Sequence, residues 1–142
     1  MCGGATDLSL LALLKKSDNC IFISTCCHHR CTLDTYCNLK FLKEFNLSDE
    51  EIEILFMLSS WAVNNLYRTK KYKKEKLDEE EEKAPFFKNL DSDFKTMVGF
   101  KVKRILDIGR CLFIREKIMR DSFMKKFCDI DITPENFVIV SP

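Results

Sequence analysis

Short apolar runs alternate with polar, turn-forming stretches along this chain, and the period of each run predicts an element. "LSLLALL", after the paired glycines of "CGGATD", predicts a helix over Leu8–Lys16 capped by Asp7 or Thr6. "NCIFIST" (19–25) is a short apolar run with β-branched residues, the kind buried in a parallel sheet. Asp34 then opens a predicted helix to about Phe45, with Tyr36, Leu39, Leu42 and Phe45 inward. "LSDEEIEILFMLSSWAV" begins with a capping box, Ser48 and Glu51, and carries Ile52, Leu55, Leu58 and Ala62 at helical spacing. A long helix is predicted from Asp91 to about Lys117, with Val98, Val102, Ile105, Gly109 and Leu112 on one face. "SFMKKFCDI" and "NFVIVSP" predict two strands joined by a turn around Pro134 and Asn136.

One stretch breaks the pattern. Residues 70–83 hold six basic and six acidic side chains with almost no apolar anchors, which marks a solvated insert over about 68–90. Its basic half could touch phosphate. The remaining elements predict an α/β fold in one domain unit, 1–142, with helices as crossovers. The strand expected just before "CGGATD" is missing, so the chain reads like the second half of a larger sheet. Such a half-sheet exposes an unpaired edge and an apolar face, which predicts poor solubility or a covering partner.

Composition adds exclusions. A formal net charge of +1 creates no overall basic field for nucleic acid, although a local patch remains compatible with it. The apolar runs are too short for a membrane span of roughly 20 residues. "MCGGATDLSL" lacks the basic start and apolar block of a secretory signal, which points to the cytoplasm or nucleus. The eight cysteines are therefore expected as reduced thiols, several of them acting as small core hydrophobes.

Chemistry concentrates in "CCHHRC", residues 26–31. Structural zinc takes paired cysteines two to four residues apart with a second pair further on, and that spacing is absent. The thioredoxin-type CxxC is absent as well. Cys26 and Cys27 as core residues, with the histidines as surface polar groups, is the plainest alternative. Against it stands position, because ligands of open α/β sheets bind beyond the carboxyl ends of strands. Two histidines and an arginine there offer a proton acceptor near neutral pH and a phosphate clamp.

"CGGATDLSL", "CCHHRC", "MLSSWA", "DIGR" and "TPENFVIV", in this order and spacing, resemble the Trm-thirteen family, the tRNA:m(4)X modification enzymes. The resemblance covers the chain apart from the charged insert. It implies the C-terminal half of a Rossmann-like, S-adenosylmethionine-dependent methyltransferase domain, with the N-terminal strands missing. It implies 2′-O-methylation of tRNA at the fourth nucleotide of the acceptor stem. Small zinc-binding elements, a glycine-rich cofactor strand and an acidic ribose-binding residue belong to the family, but none is found in these residues. The resemblance makes His28 or His29 the candidate base, with Asp7 orienting a histidine or the hydroxyl. Arg30 becomes a phosphate contact. Trp61 is a candidate to stack on a base, or else a core residue, and Arg110 a contact to RNA or cofactor, or else half of an interior ion pair. Cys2 and Gly3 would line the cofactor side. No metal ligand is assigned.

Two rival expectations stand beside this one: an inactive remnant that binds tRNA or a protein partner, and a small zinc-binding protein. The partners expected are tRNA and the missing N-terminal half or another chain, with no membrane.

Overall fold

The computed structural model describes residues 3–14, 20–64, 87 and 89–142. Cys2 and most of the charged insert lie outside the described residues.

Five helices and three strands follow one another in the described residues. They are α1 (Gly3–Leu13), β1 (Ile21–Ser24), α2 (Leu39–Lys43), α3 (Asp49–Leu58), α4 (Trp61–Asn64), α5 (Ser92–Phe113), β2 (Phe123–Lys126) and β3 (Phe137–Ser141). A single 3-10 turn, His28–Arg30, follows β1, and α5 runs on as a π-helical turn over Ile114–Ile118. The sheet order is β1-β3-β2, and both pairings are antiparallel.

Where the signal was local, the expected elements form. The Ser48 hydroxyl accepts from the Glu51 amide at 3.2 Å, and the Glu51 carboxylate accepts from the Ser48 amide at 2.7 Å. This satisfies two of the donors a helix start leaves open. Asp91 caps α5 by accepting from the amides of Asp93 and Phe94. The terminal strand pair also forms, joined through the Pro134–Asn136 turn.

Three expectations are corrected. The first helix begins at Gly3, not Leu8, so the glycines lie inside it and Asp7 projects from its buried side. The region 34–45 is mostly turn, with helix only over Leu39–Lys43, and Phe45 faces solvent. β1 is not buried on both faces of a parallel sheet: Ile21 and Ile23 point inward, while Phe22 is 68% exposed. The register sets Phe22, Val140 and Phe123 in one row across the sheet, and Phe123 is also exposed.

α5 is the spine. Its C-terminal end, with Cys111, Phe113 and Ile114, packs with Leu10 of α1 onto Ile21, Ile23 and Ile139 of the sheet's inner face. Its middle, with Val102 and Leu106, packs onto Tyr36, Leu42, Ile52 and Phe56. Burying each such side chain is worth about 1.5–3 kcal/mol. Between these two apolar clusters, α5 carries Asp107 and Arg110.

Candidate functional site

The chain leaves β1 through Thr25, which is buried, and turns at Cys27, whose φ of 39° and ψ of 43° lie in the left-handed region. A non-glycine residue there is uncommon and costs on the order of 1 kcal/mol or more. The turn closes with the Cys31 amide donating to the His28 carbonyl at 3.0 Å. It drives the His28 ring into the interior and leaves Arg30 in solvent, with His29 half-buried between them. α1 presses on this loop from the other side. A Cβ at Gly3 would fall 2.8 Å from Cys31 Sγ and 2.9 Å from the Cys27 carbonyl, so only glycine lets the two segments meet this closely.

Arg110, fully buried, gathers the segments. Its Nε donates to Asp7 Oδ1 at 3.0 Å and its Nη2 to Asp7 Oδ2 at 2.8 Å, a bidentate pair. Nη2 also reaches Cys31 Sγ at 3.2 Å, and Nη1 donates to Asp107 Oδ1 at 2.9 Å. Asp107 is the second hub. Its Oδ1 accepts from His28 Nε2 at 2.9 Å and from the Thr25 hydroxyl at 3.1 Å, and its Oδ2 accepts from Arg104 Nη1 at 3.2 Å. Tyr36 and Asn38 fasten α5 beside the cluster by donating to the carbonyls of Leu106 and Gly109.

The two buried carboxylates face the buried Arg110 and the partly exposed Arg104, so the charges balance with His28 neutral. Burial pushes His28 below the usual histidine range even though Asp107 pulls the other way. Burial works against ionisation of Asp107 too, but the attraction of His28, Arg110 and Arg104 outweighs it and holds that carboxyl at about 2. An ionised Asp107 fixes the His28 proton on Nε2. The other ring nitrogen, Nδ1, carries the lone pair and is buried without a hydrogen-bond partner among the described residues. Burial pushes the Cys31 thiol up to about 12, so it is protonated. Among the described residues no group of three or more His, Cys, Asp or Glu side chains could hold a metal ion.

The residues singled out from sequence fall in different places. His28, Asp7 and Arg110 come together, but Asp7 meets Arg110 and Cys31, not a histidine. Arg110 forms the interior ion pairs. Trp61 is buried where α4 crosses α5: it meets Phe87 edge-on at 5.2 Å between centroids, and Lys95 Nζ lies 5.6 Å from its ring centroid. The acid that holds His28, Asp107, escaped the sequence reading. Its signal was present in "DIGR", because positions three apart on a helix share a face.

A family model described as Methyltransferase TRM13 matches residues 1–142. A curated relative from Dictyostelium discoideum, a tRNA:m(4)X modification enzyme TRM13 homolog, is 32% identical over 83% of this chain and 28% of its own length. The tRNA:m(4)X modification enzyme TRM13 of Schizosaccharomyces pombe is 29% identical over 99% of this chain and 37% of its own. That of Scheffersomyces stipitis is 30% identical over 96% and 34%. The chain thus spans about a third of the length of these relatives. No solved structure matches it. The motifs that the buried cluster ties together lie within a match running the whole length of the chain, which belongs to the TRM13 methyltransferase family.

Proposed function

We propose that this chain forms the C-terminal half of a Rossmann-like methyltransferase domain that methylates a ribose 2′-hydroxyl at the fourth nucleotide of the tRNA acceptor stem. The family match and the relatives' names support a methyltransferase acting on tRNA. The observation that carries the chemistry is the buried His28–Asp107 pair, with its proton fixed on Nε2 and its Nδ1 unpaired. In this reading the His28–Arg30 turn opens to the ribose, and Nδ1, buried in this structure, takes the proton of the hydroxyl as that oxygen becomes a nucleophile. Asp107 then stabilises the imidazolium that forms, a division of labour familiar from other acid–histidine pairs. The half-buried His29 and the exposed Arg30 form the rim that substrate meets first.

The methyl donor proposed is S-adenosylmethionine, whose sulfonium supplies an electrophilic methyl group when bound. The described residues do not fit it by themselves. All four glycines of the chain lie in helices, so none forms a phosphate- or ribose-cradling loop after a strand. The space beside Gly3 is filled by Cys31 and the Cys27 carbonyl, and both buried acids are engaged by arginine. The donor is therefore assigned to other parts of the polypeptide. The edge that β1 forms among the described residues, with the exposed rings of Phe22 and Phe123 on either side of the buried Val140, is where the remaining strands and their helices would join. The same absence of a glycine loop supports a second reading, a tRNA- or protein-binding module without activity.

Methyl transfer from labelled S-adenosylmethionine to tRNA separates the two. The assay uses the chain alone and the chain supplemented with the remaining portion of the Schizosaccharomyces pombe relative. Transfer to the fourth acceptor-stem ribose in the supplemented mixture, abolished by His28→Gln with tRNA affinity retained, is the expected result. No transfer in either mixture leaves the binding module. Full activity of His28→Gln with loss in His29→Ala moves the base to His29.

A further inference from the structure

Arg110 and Lys103 are buried and spent on protein partners, Arg110 on Asp7 and Asp107, and Lys103 on Glu135 at 2.5 Å. Arg104 differs. Its guanidinium lies over the Phe137 ring with Cζ 3.7 Å from the centroid, and Nη1 is tied to Asp107. The side chain is 24% exposed, whereas Asp107 beneath it is all but inaccessible. Nη1 is the one Arg104 nitrogen with a protein hydrogen bond among the described residues, which leaves Nε and Nη2 to a ligand.

We propose that Arg104 is the residue through which this site grips a phosphate of its RNA substrate. This rests on the RNA-substrate reading above. The "TPEN" turn supplies the mounting. Glu135, whose amide is held by the Thr133 hydroxyl at 3.2 Å, clamps Lys103; two residues later, Phe137 provides the plate under Arg104. Successive cations of α5 are thus received by alternate residues of one segment, which keeps the guanidinium from swinging. A planar fork held on an aromatic face matches the tetrahedral oxygens of a phosphate in a bidentate way that an ammonium cannot. The position is also the right one. Arg104 shares Asp107 with His28, so a phosphate gripped there lies one carboxylate away from the imidazole. A small-molecule carboxylate satisfies the same fork, and the test separates the two sources.

The experiment measures binding of a fluorescent RNA duplex reproducing an acceptor stem, by the full chain and its variants, over a range of salt. Arg104→Ala is expected to weaken binding about tenfold and to reduce the slope of log affinity against log salt by about one, the signature of one lost phosphate contact. Arg104→Lys should keep the slope and recover only part of the affinity. Phe137→Leu should fall between. A merely structural role would lower the melting temperature without changing the slope. Wild-type slope and affinity in Arg104→Lys and Arg104→Ala overturn the proposal while leaving the RNA reading intact. If Arg104→Ala does not fold, Arg104→Lys with unchanged affinity overturns it alone. Absence of RNA binding by the wild-type chain removes the RNA reading and this contact with it. An Arg104 Nε–H resonance that shifts with acetate and not with inorganic phosphate assigns the fork to a carboxylate and overturns the proposal too.

Discussion

Asp7 and Arg110 lie 103 positions apart in the chain and are joined by two parallel hydrogen bonds where water does not reach. Removing one partner of such a pair strands the other charge. Asp7→Ala or Arg110→Ala should each cost about 3–5 kcal/mol of folding stability. A double-mutant cycle in urea should show the two losses failing to add, with a coupling of about 0.5–3 kcal/mol. Strict additivity would mean the pair is not energetically linked.

His28 makes the fold acid-sensitive. Its folded-state pKa lies below the unfolded value of 6.5, because burial disfavours the imidazolium. Between those two values the unfolded chain binds more protons than the folded one. The contribution is therefore complete above 6.5 and is lost as pH falls toward the folded value. Asp107, at about 2 in the fold against 3.8 unfolded, adds a second loss at lower pH, present above 3.8 and gone near 2. Urea midpoints should thus fall between pH 7.5 and pH 5, and His28→Gln should flatten that decline. A midpoint that rises on acidification would contradict this.

Glycines within the helices should respond oppositely to alanine. A Cβ at Gly109 would sit 2.1 Å from Tyr36 Oη and 2.9 Å from a Phe41 ring carbon, so Gly109→Ala should cost about 1–3 kcal/mol. At Gly4 the nearest atoms are 3.5 and 3.9 Å away, and Gly4→Ala should be neutral or stabilise by up to about 1 kcal/mol. Thermal melts of the two variants check the contrast.

Phe22 stands outward in the middle of β1, the edge strand of the sheet among the described residues. Phe22→Thr should change stability by no more than about 0.5 kcal/mol and reduce self-association of the isolated chain. Sedimentation velocity would read this directly; unchanged association would place the sticky surface elsewhere.

How much of the fold was legible in the residues follows the range of each signal. The Ser48–Glu51 box, the long helix and the terminal strand pair are local patterns and were legible. The paired glycines read as a turn because glycine weakens helices, yet contact of Gly3 with the Cys27–Cys31 loop favours helix there. Val98, Val102 and Ile105 do pack on the core as the spacing indicated, but the buried side of α5 is wider than that stripe, because Lys103, Asp107 and Arg110 count as polar in any periodicity although all three are interior. Parts of three motifs, Asp7, His28 with Cys31, and Asp107 with Arg110, come together in space. The pairing among them depends on contacts such as His28–Asp107, 79 residues apart, and no local pattern encodes them.

The sheet order has a consequence in time. β3 lies between β1 and β2 but is synthesised after both. Until it emerges, neither outer strand has its partner, and the inner face that α1 and α5 cover is incomplete. Helices of this chain can form as they leave the ribosome, but the sheet must wait for residues 137–141. During that wait Ile21, Phe22 and Ile23 form an apolar strand with both edges open, which makes the interval before β3 arrives the period of greatest risk for misassembly.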